Sequence, residues 1–76
     1  MSDPIRIVVV DDHPIVRDGL IGIFSREPGL EIAGEAASGP EGVVVVEQVR
    51  PDVVLMDLRM PGGDGVAAIR TLVERG

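Results

Sequence analysis

Apolar positions in this chain recur with two different periods, and the alternation between them predicts its elements. Ile5-Arg6-Ile7-Val8-Val9-Val10 is a β-branched run that stops at Asp11-Asp12, the signature of a central strand ending in two carboxylates. Beyond it, Pro14 suits a first helical turn, and Val16, Leu20, Ile23 and Phe24 recur at helical spacing until Pro28-Gly29 breaks the pattern. Leu30 to Ala36 predicts a second strand, with Ile32 its clearest core residue. Val53-Val54-Leu55-Met56 is a short continuous apolar run ending at Asp57, as expected of a strand buried on both faces of a parallel sheet.

The four valines at 43–46 suit a strand by propensity alone, yet their flanks predict a helix. Ser38 and Glu41 have the spacing of a capping box, in which hydroxyl and carboxylate each satisfy a first-turn N–H, and Pro40 is tolerated there. Val43, Val46 and Val49, with Val45 beside them, then form an apolar face that ends before Pro51, and Asp52 leads into the third strand. Val66, Ile69 and Val73, with Leu72, mark a third helix that Gly76 would cap, and Asp64 fits its N-cap.

The resulting order is β-α-β-α-β-α, with no linker, repeat or low-complexity tract. Such alternation implies a parallel sheet with right-handed crossovers. If the third strand lies at an edge, its open backbone and apolar side chains need a cover.

Composition narrows the function. The chain has 76 residues, 45% of them hydrophobic, and a net charge of −6, which fits one small globular unit. The acidic balance argues against direct nucleic-acid binding by this segment. With no cysteine there is neither a disulfide framework nor a thiolate metal site, so a cytoplasmic location is the default. No run approaches the roughly 18 apolar residues of a membrane span, and Met1-Ser2-Asp3-Pro4 lacks the features of a secretion signal.

If the first and third strands are parallel neighbours, Asp11, Asp12 and Asp57 converge at one rim of the sheet, where ligands of open α/β folds bind. Three carboxylates so close repel unless a cation or protons compensate. Oxygen donors, with room left for water and phosphate oxygens, favour Mg²⁺ over Zn²⁺. A carboxylate beside such an ion can act as a nucleophile toward a phosphoryl group. Taken singly, Asp-Asp after a strand is usually a helix N-cap, and Asp before a Gly/Pro turn is usually turn chemistry. Their conjunction, followed by Gly62, Gly63 and Gly65, which let backbone approach a ligand, favours a site.

The stretches Val10-Asp11-Asp12-His13-Pro14-Ile15-Val16-Arg17-Asp18-Gly19-Leu20 and Met56-Asp57-Leu58-Arg59-Met60-Pro61-Gly62-Gly63-Asp64-Gly65 together resemble the receiver domain of two-component response regulators. The Asp-Asp-His-Pro and Asp-Leu-Arg-Met-Pro forms are most similar to the bacterial NarL/FixJ subfamily, whose members usually carry a LuxR-type helix-turn-helix domain after the receiver. The resemblance implies a flavodoxin-like (CheY-like) doubly wound parallel sheet, with strand order 2-1-3 for the units in hand. It implies that Asp57 is the phosphoacceptor for a sensor histidine kinase. It also implies that Asp11, Asp12 and Asp57, with the backbone carbonyl of Arg59, hold Mg²⁺. Met60-Pro61 and Gly65 match the family's turn after the phosphoacceptor, and His13 is expected to help begin the first helix rather than to do acid-base chemistry.

Receivers have five β-α units, and residues 1–76 match the first three. The strand ending in the switch Ser or Thr and the strand ending in the phosphate-binding Lys have no counterpart here, and the chain contains no lysine. The expectation is therefore the N-terminal part of a receiver, with DNA contacted only through a C-terminal domain of a parent protein. A short protein that completes its sheet as a homodimer or swapped oligomer is the competing expectation. In function, a non-enzymatic phosphoacceptor module competes with a phosphorylation-independent interaction domain. An aspartyl-phosphate phosphohydrolase is the third reading, disfavoured by Arg59 standing where such enzymes commonly want a second acid.

Overall fold

The computed structural model describes residues 3–57. The third helix expected around 66–73, the turn residues 60–65 and Arg59 lie outside that range. Within it the chain forms β1 (Ile5–Val10), α1 (Pro14–Ser25), β2 (Leu30–Ala36), α2 (Gly39–Val49) and β3 (Val53–Met56). The three strands make one parallel sheet, as the alternation of elements predicts, in the order β2-β1-β3 that the resemblance implies. With β1 central, the crossover to β2 runs one way along the sheet and the crossover to β3 runs back. Right-handed connections therefore place α1 and α2 on opposite faces.

β1 is the core. Val8, Val9 and Val10 are 0 to 1% exposed, and Val8, Val10 and Ala36 form a cluster on which Val45, Val46 and Val49 of α2 pack. α2 is a helix despite its valines because both its ends are satisfied. The Ser38 hydroxyl accepts the Glu41 N–H at 3.2 Å, and the Glu41 carboxylate reaches back to the Ala37 N–H at 3.4 Å, one residue earlier than a standard capping box. At the other end Arg50 adopts a left-handed conformation with φ 48°, and the Arg6 guanidinium donates to the carbonyls of Val49 at 2.7 Å and Arg50 at 3.3 Å.

Two glycines set how close α2 comes. A Cβ on Gly34 would lie 2.7 Å from Val45 Cγ1, and one on Gly42 would lie 2.9 Å from Val10 Cγ2, so neither position has room for a side chain.

Two expectations need correction. Ile32 is only half-buried, and the fully buried residue of β2 is Ala36. A bulge at Ala33 resets the register, pairing Ile7 with Ile32 but Val8 with Gly34, so Gly34 and Ala36 share the α2 face while Ile32 turns toward α1. α1 contributes no buried residue of its own, and its cover is correspondingly thin. β3 is likewise not buried on both faces: Val53 is 40% exposed, and Val54, Leu55 and Met56 are half-buried. Among the described residues β3 pairs on one side only, with β1.

Candidate functional site

The parallel ladder delivers the carboxylates. Val10 pairs with Ala36 on one side and Met56 on the other, and the pattern continues one step beyond the strands. The Asp11 N–H donates to the Ala36 carbonyl, and the Asp57 N–H donates to the Val10 carbonyl, each at 3.0 Å. Asp11 and Asp57 thus leave adjacent strands at the same level, at the carboxyl rim of the sheet. Asp12, His13 and α1 follow directly from Asp11.

The side chains differ in their surroundings. Asp11 is buried, whereas Asp12 and Asp57 are partly open to solvent. Asp11 Oδ1 accepts the backbone N–H of His13 at 2.8 Å, an Asx-type local bond that turns the chain into the helix. His13 is the N-cap of α1 by position, and its carbonyl accepts the Arg17 N–H, but its side chain caps nothing. The imidazole instead faces the rim. Its Nδ1 lies 3.2 Å from Asp11 Oδ1, 2.9 Å from Asp12 Oδ1 and 3.8 Å from Asp57 Oδ2.

One ligand atom from each of Asp11, Asp12, His13 and Asp57 can be chosen so that all four lie within 4.8 Å of one another. Asp12 Oδ1 is a buried atom that makes no hydrogen bond; the nearby His13 nitrogen is at contact distance but not in hydrogen-bonding alignment. A buried carboxylate oxygen without a hydrogen bond is costly, and a hard cation is a partner it suits. The residues therefore fit a Mg²⁺-sized ion.

Arg17 holds the assembly from α1. Its Nη1 donates to the Asp11 carbonyl at 2.7 Å and its Nε to Glu35 at 3.2 Å, tying helix, rim and β2 together. Sequence reasoning brought together Asp11, Asp12 and Asp57, and the structure places them side by side. It assigned no rim contact to His13 or Arg17. Helical spacing would have found Arg17 one turn after His13, but nothing local specifies what either side chain reaches. Arg59, expected to offer its carbonyl, lies outside the described residues.

Comparison with known proteins agrees with this geometry. The family model for the response regulator receiver domain matches residues 7–76. The nitrate/nitrite response regulator NarL of Escherichia coli is 37% identical over 74 residues, covering 97% of this chain and 34% of NarL. A LuxR-family two-component response regulator from Aurantimonas superposes with a TM-score of 0.87 at 40% identity, covering 97% of this chain and 52% of that one. A chain of the CheX-CheY-BeF3-Mg complex from Borrelia burgdorferi superposes with a TM-score of 0.83 at 31% identity, covering 96% of this chain and 55% of that one. The chain spans about a third of the length of the curated NarL-type relatives it matches. Receiver domains bind Mg²⁺ at an acidic pocket, and here three aspartates and a histidine meet at the corresponding rim. No helix among the described residues is long and apolar enough to cross a membrane. The chain belongs to the response regulator receiver family, with NarL- and LuxR-type regulators among its relatives.

Proposed function

We propose that this chain is a phosphoacceptor module in which Asp57 takes a phosphoryl group from the phosphohistidine of a sensor kinase. The observation that carries the reading is the meeting of Asp11, Asp12 and Asp57 at one rim, with Asp12 Oδ1 buried and without a hydrogen bond. A carboxylate oxygen of Asp57 attacks phosphorus; the new P–O bond forms as the P–N bond to the kinase imidazole breaks, and the imidazole leaves with the electron pair. Asp11 and Asp12, with Asp57 and the backbone carbonyl of Arg59, would hold Mg²⁺, which supplies neutralisation of the charge gathering on the phosphoryl oxygens. Arg17, by gripping the Asp11 carbonyl, keeps the rim in register with α1.

Added charge at Asp57 biases the surface around it, and in a longer parent protein that bias would control a C-terminal helix-turn-helix domain and transcription. The module by itself is not an enzyme on this reading; it accepts the group and passes on a state.

Intact mass spectrometry after incubation with acetyl phosphate and Mg²⁺ tests the reading. We expect one Mg²⁺-dependent phosphoryl adduct on the wild-type chain and none on Asp57→Asn. A folded wild-type chain that acquires no adduct would overturn it and leave a phosphorylation-independent interaction domain as the better description. Steady turnover of a small phosphomonoester would instead point to the phosphohydrolase.

A further inference from the structure

The site contains a donor that three carboxylates do not require. His13 occupies the N-cap position of α1, where Ser, Thr, Asp or Asn would satisfy a first-turn N–H, yet its side chain makes no such bond. Its ring is turned to the rim, with Nδ1 among three carboxylates at 2.9, 3.2 and 3.8 Å. Neighbouring donors around an octahedral ion with bonds of about 2.1 Å stand about 3 Å apart, so the two shorter separations match cis edges of one coordination shell. Asp12 Oδ1 makes no hydrogen bond across the shortest edge, while Nδ1 is hydrogen-bonded to Asp11 Oδ1 at 3.2 Å, a bond that a shared cation would replace.

We propose that His13 Nδ1 is a further protein donor to the ion held by Asp11, Asp12 and Asp57, and that it shifts the site's preference from Mg²⁺ toward Mn²⁺ and other first-row transition ions. The inference rests on the metal-ligand reading of the three aspartates given above. Imidazole nitrogen suits borderline ions, whereas Mg²⁺ prefers oxygen and water. On coordination the lone pair of Nδ1 faces the ion and the ring proton resides on Nε2, directed outward. The rest of the His13 side chain is exposed. The backbone bond from the His13 N–H to Asp11 Oδ1 fixes where the ring hinges.

The chain has a single histidine, which makes the test unambiguous. The full 76-residue chain, loaded with Mn²⁺ alone, is examined by pulsed electron paramagnetic resonance, where an imidazole nitrogen coupling can come only from His13. Mg²⁺ competition then gives the Mn²⁺/Mg²⁺ affinity ratio for wild type and His13→Gln. We expect a clear nitrogen coupling in the wild type, its loss in His13→Gln, and a ratio about tenfold lower in the variant. Bound Mn²⁺ with no imidazole coupling would overturn this proposal and leave the aspartate reading intact. Failure of the folded wild type to bind either ion would overturn both. The wild-type spectrum decides the matter even if the variant does not fold.

Discussion

The two faces of the sheet use the same apolar alphabet to different ends. On the α2 face, Val8, Val10 and Ala36 are sealed, Gly34 and Gly42 admit the helix to direct contact, and both helix ends are bonded. On the α1 face Ile7 and Val9 of the sheet are sealed as well, but the helix that covers them keeps no residue of its own fully buried. Ile15 is 87% exposed, and Val16 and Ile23 are also open. What holds α1 at the rim is polar: Arg17 to the Asp11 carbonyl and Glu35, and the Asp11 carboxylate to the His13 N–H. Hydrophobic burial is non-directional and gives stability, while hydrogen bonds to named atoms give position. Both faces stabilise the sheet, and the α1 face also aims the site.

Substitutions can break this contrast or sharpen it. Val10→Ala removes two methyl groups from the sealed face and should destabilise the chain by about 2–3 kcal/mol, read by denaturant unfolding. A loss below about 1 kcal/mol would show that the core is less closely packed than its burial implies. Gly34→Ala places a methyl against Val45 and should destabilise by about 1–3 kcal/mol, with the β2 amides losing hydrogen-exchange protection first. Unchanged protection there would contradict the close approach.

Arg17→Ala deletes the charged bond to the Asp11 carbonyl, an effect of about 1–2 kcal/mol. Its more telling readout is ion affinity, which should weaken if Arg17 positions the rim and stay constant if it only covers surface. Ser38→Ala removes the α2 cap and should cost about 1 kcal/mol by thermal unfolding. Ile15→Ser, on the open face, should change stability by less than about 0.5 kcal/mol. An Ile15 effect as large as that of Val10 would erase the distinction between the faces.

Much of this was legible in the chain itself. The bounds of β1, β2 and β3 follow from apolar runs punctuated by Asp-Asp, Pro-Gly and Asp, and the two observed helices begin where Pro14 and the Ser38–Glu41 pair place them. The three aspartates were readable as a rim cluster because strand ends and parallel order convert sequence position into spatial level. The shortfalls share a cause. Ile32 reads as the clearest core residue of its run, and the pattern of a run cannot register an extra residue such as Ala33 in the ladder. Val53-Val54-Leu55-Met56 reads as a doubly buried strand in composition, but burial depends on the neighbours a strand has.

By itself, then, the sequence determined the alternation of elements, the helical reading of 43–46 and the delivery of Asp11, Asp12 and Asp57 to strand exits, because each depends on local period, local caps and the period-two geometry of strands. Tertiary structure alone decided that Gly34 and Gly42 are contact points for α2 and that Arg6 closes the far end of α2 more than 40 residues away. It also decided that His13 turns its nitrogen to the carboxylates and that Arg17 grips the Asp11 carbonyl. Those are facts about where a side chain points and what it meets there, and periodicity carries neither.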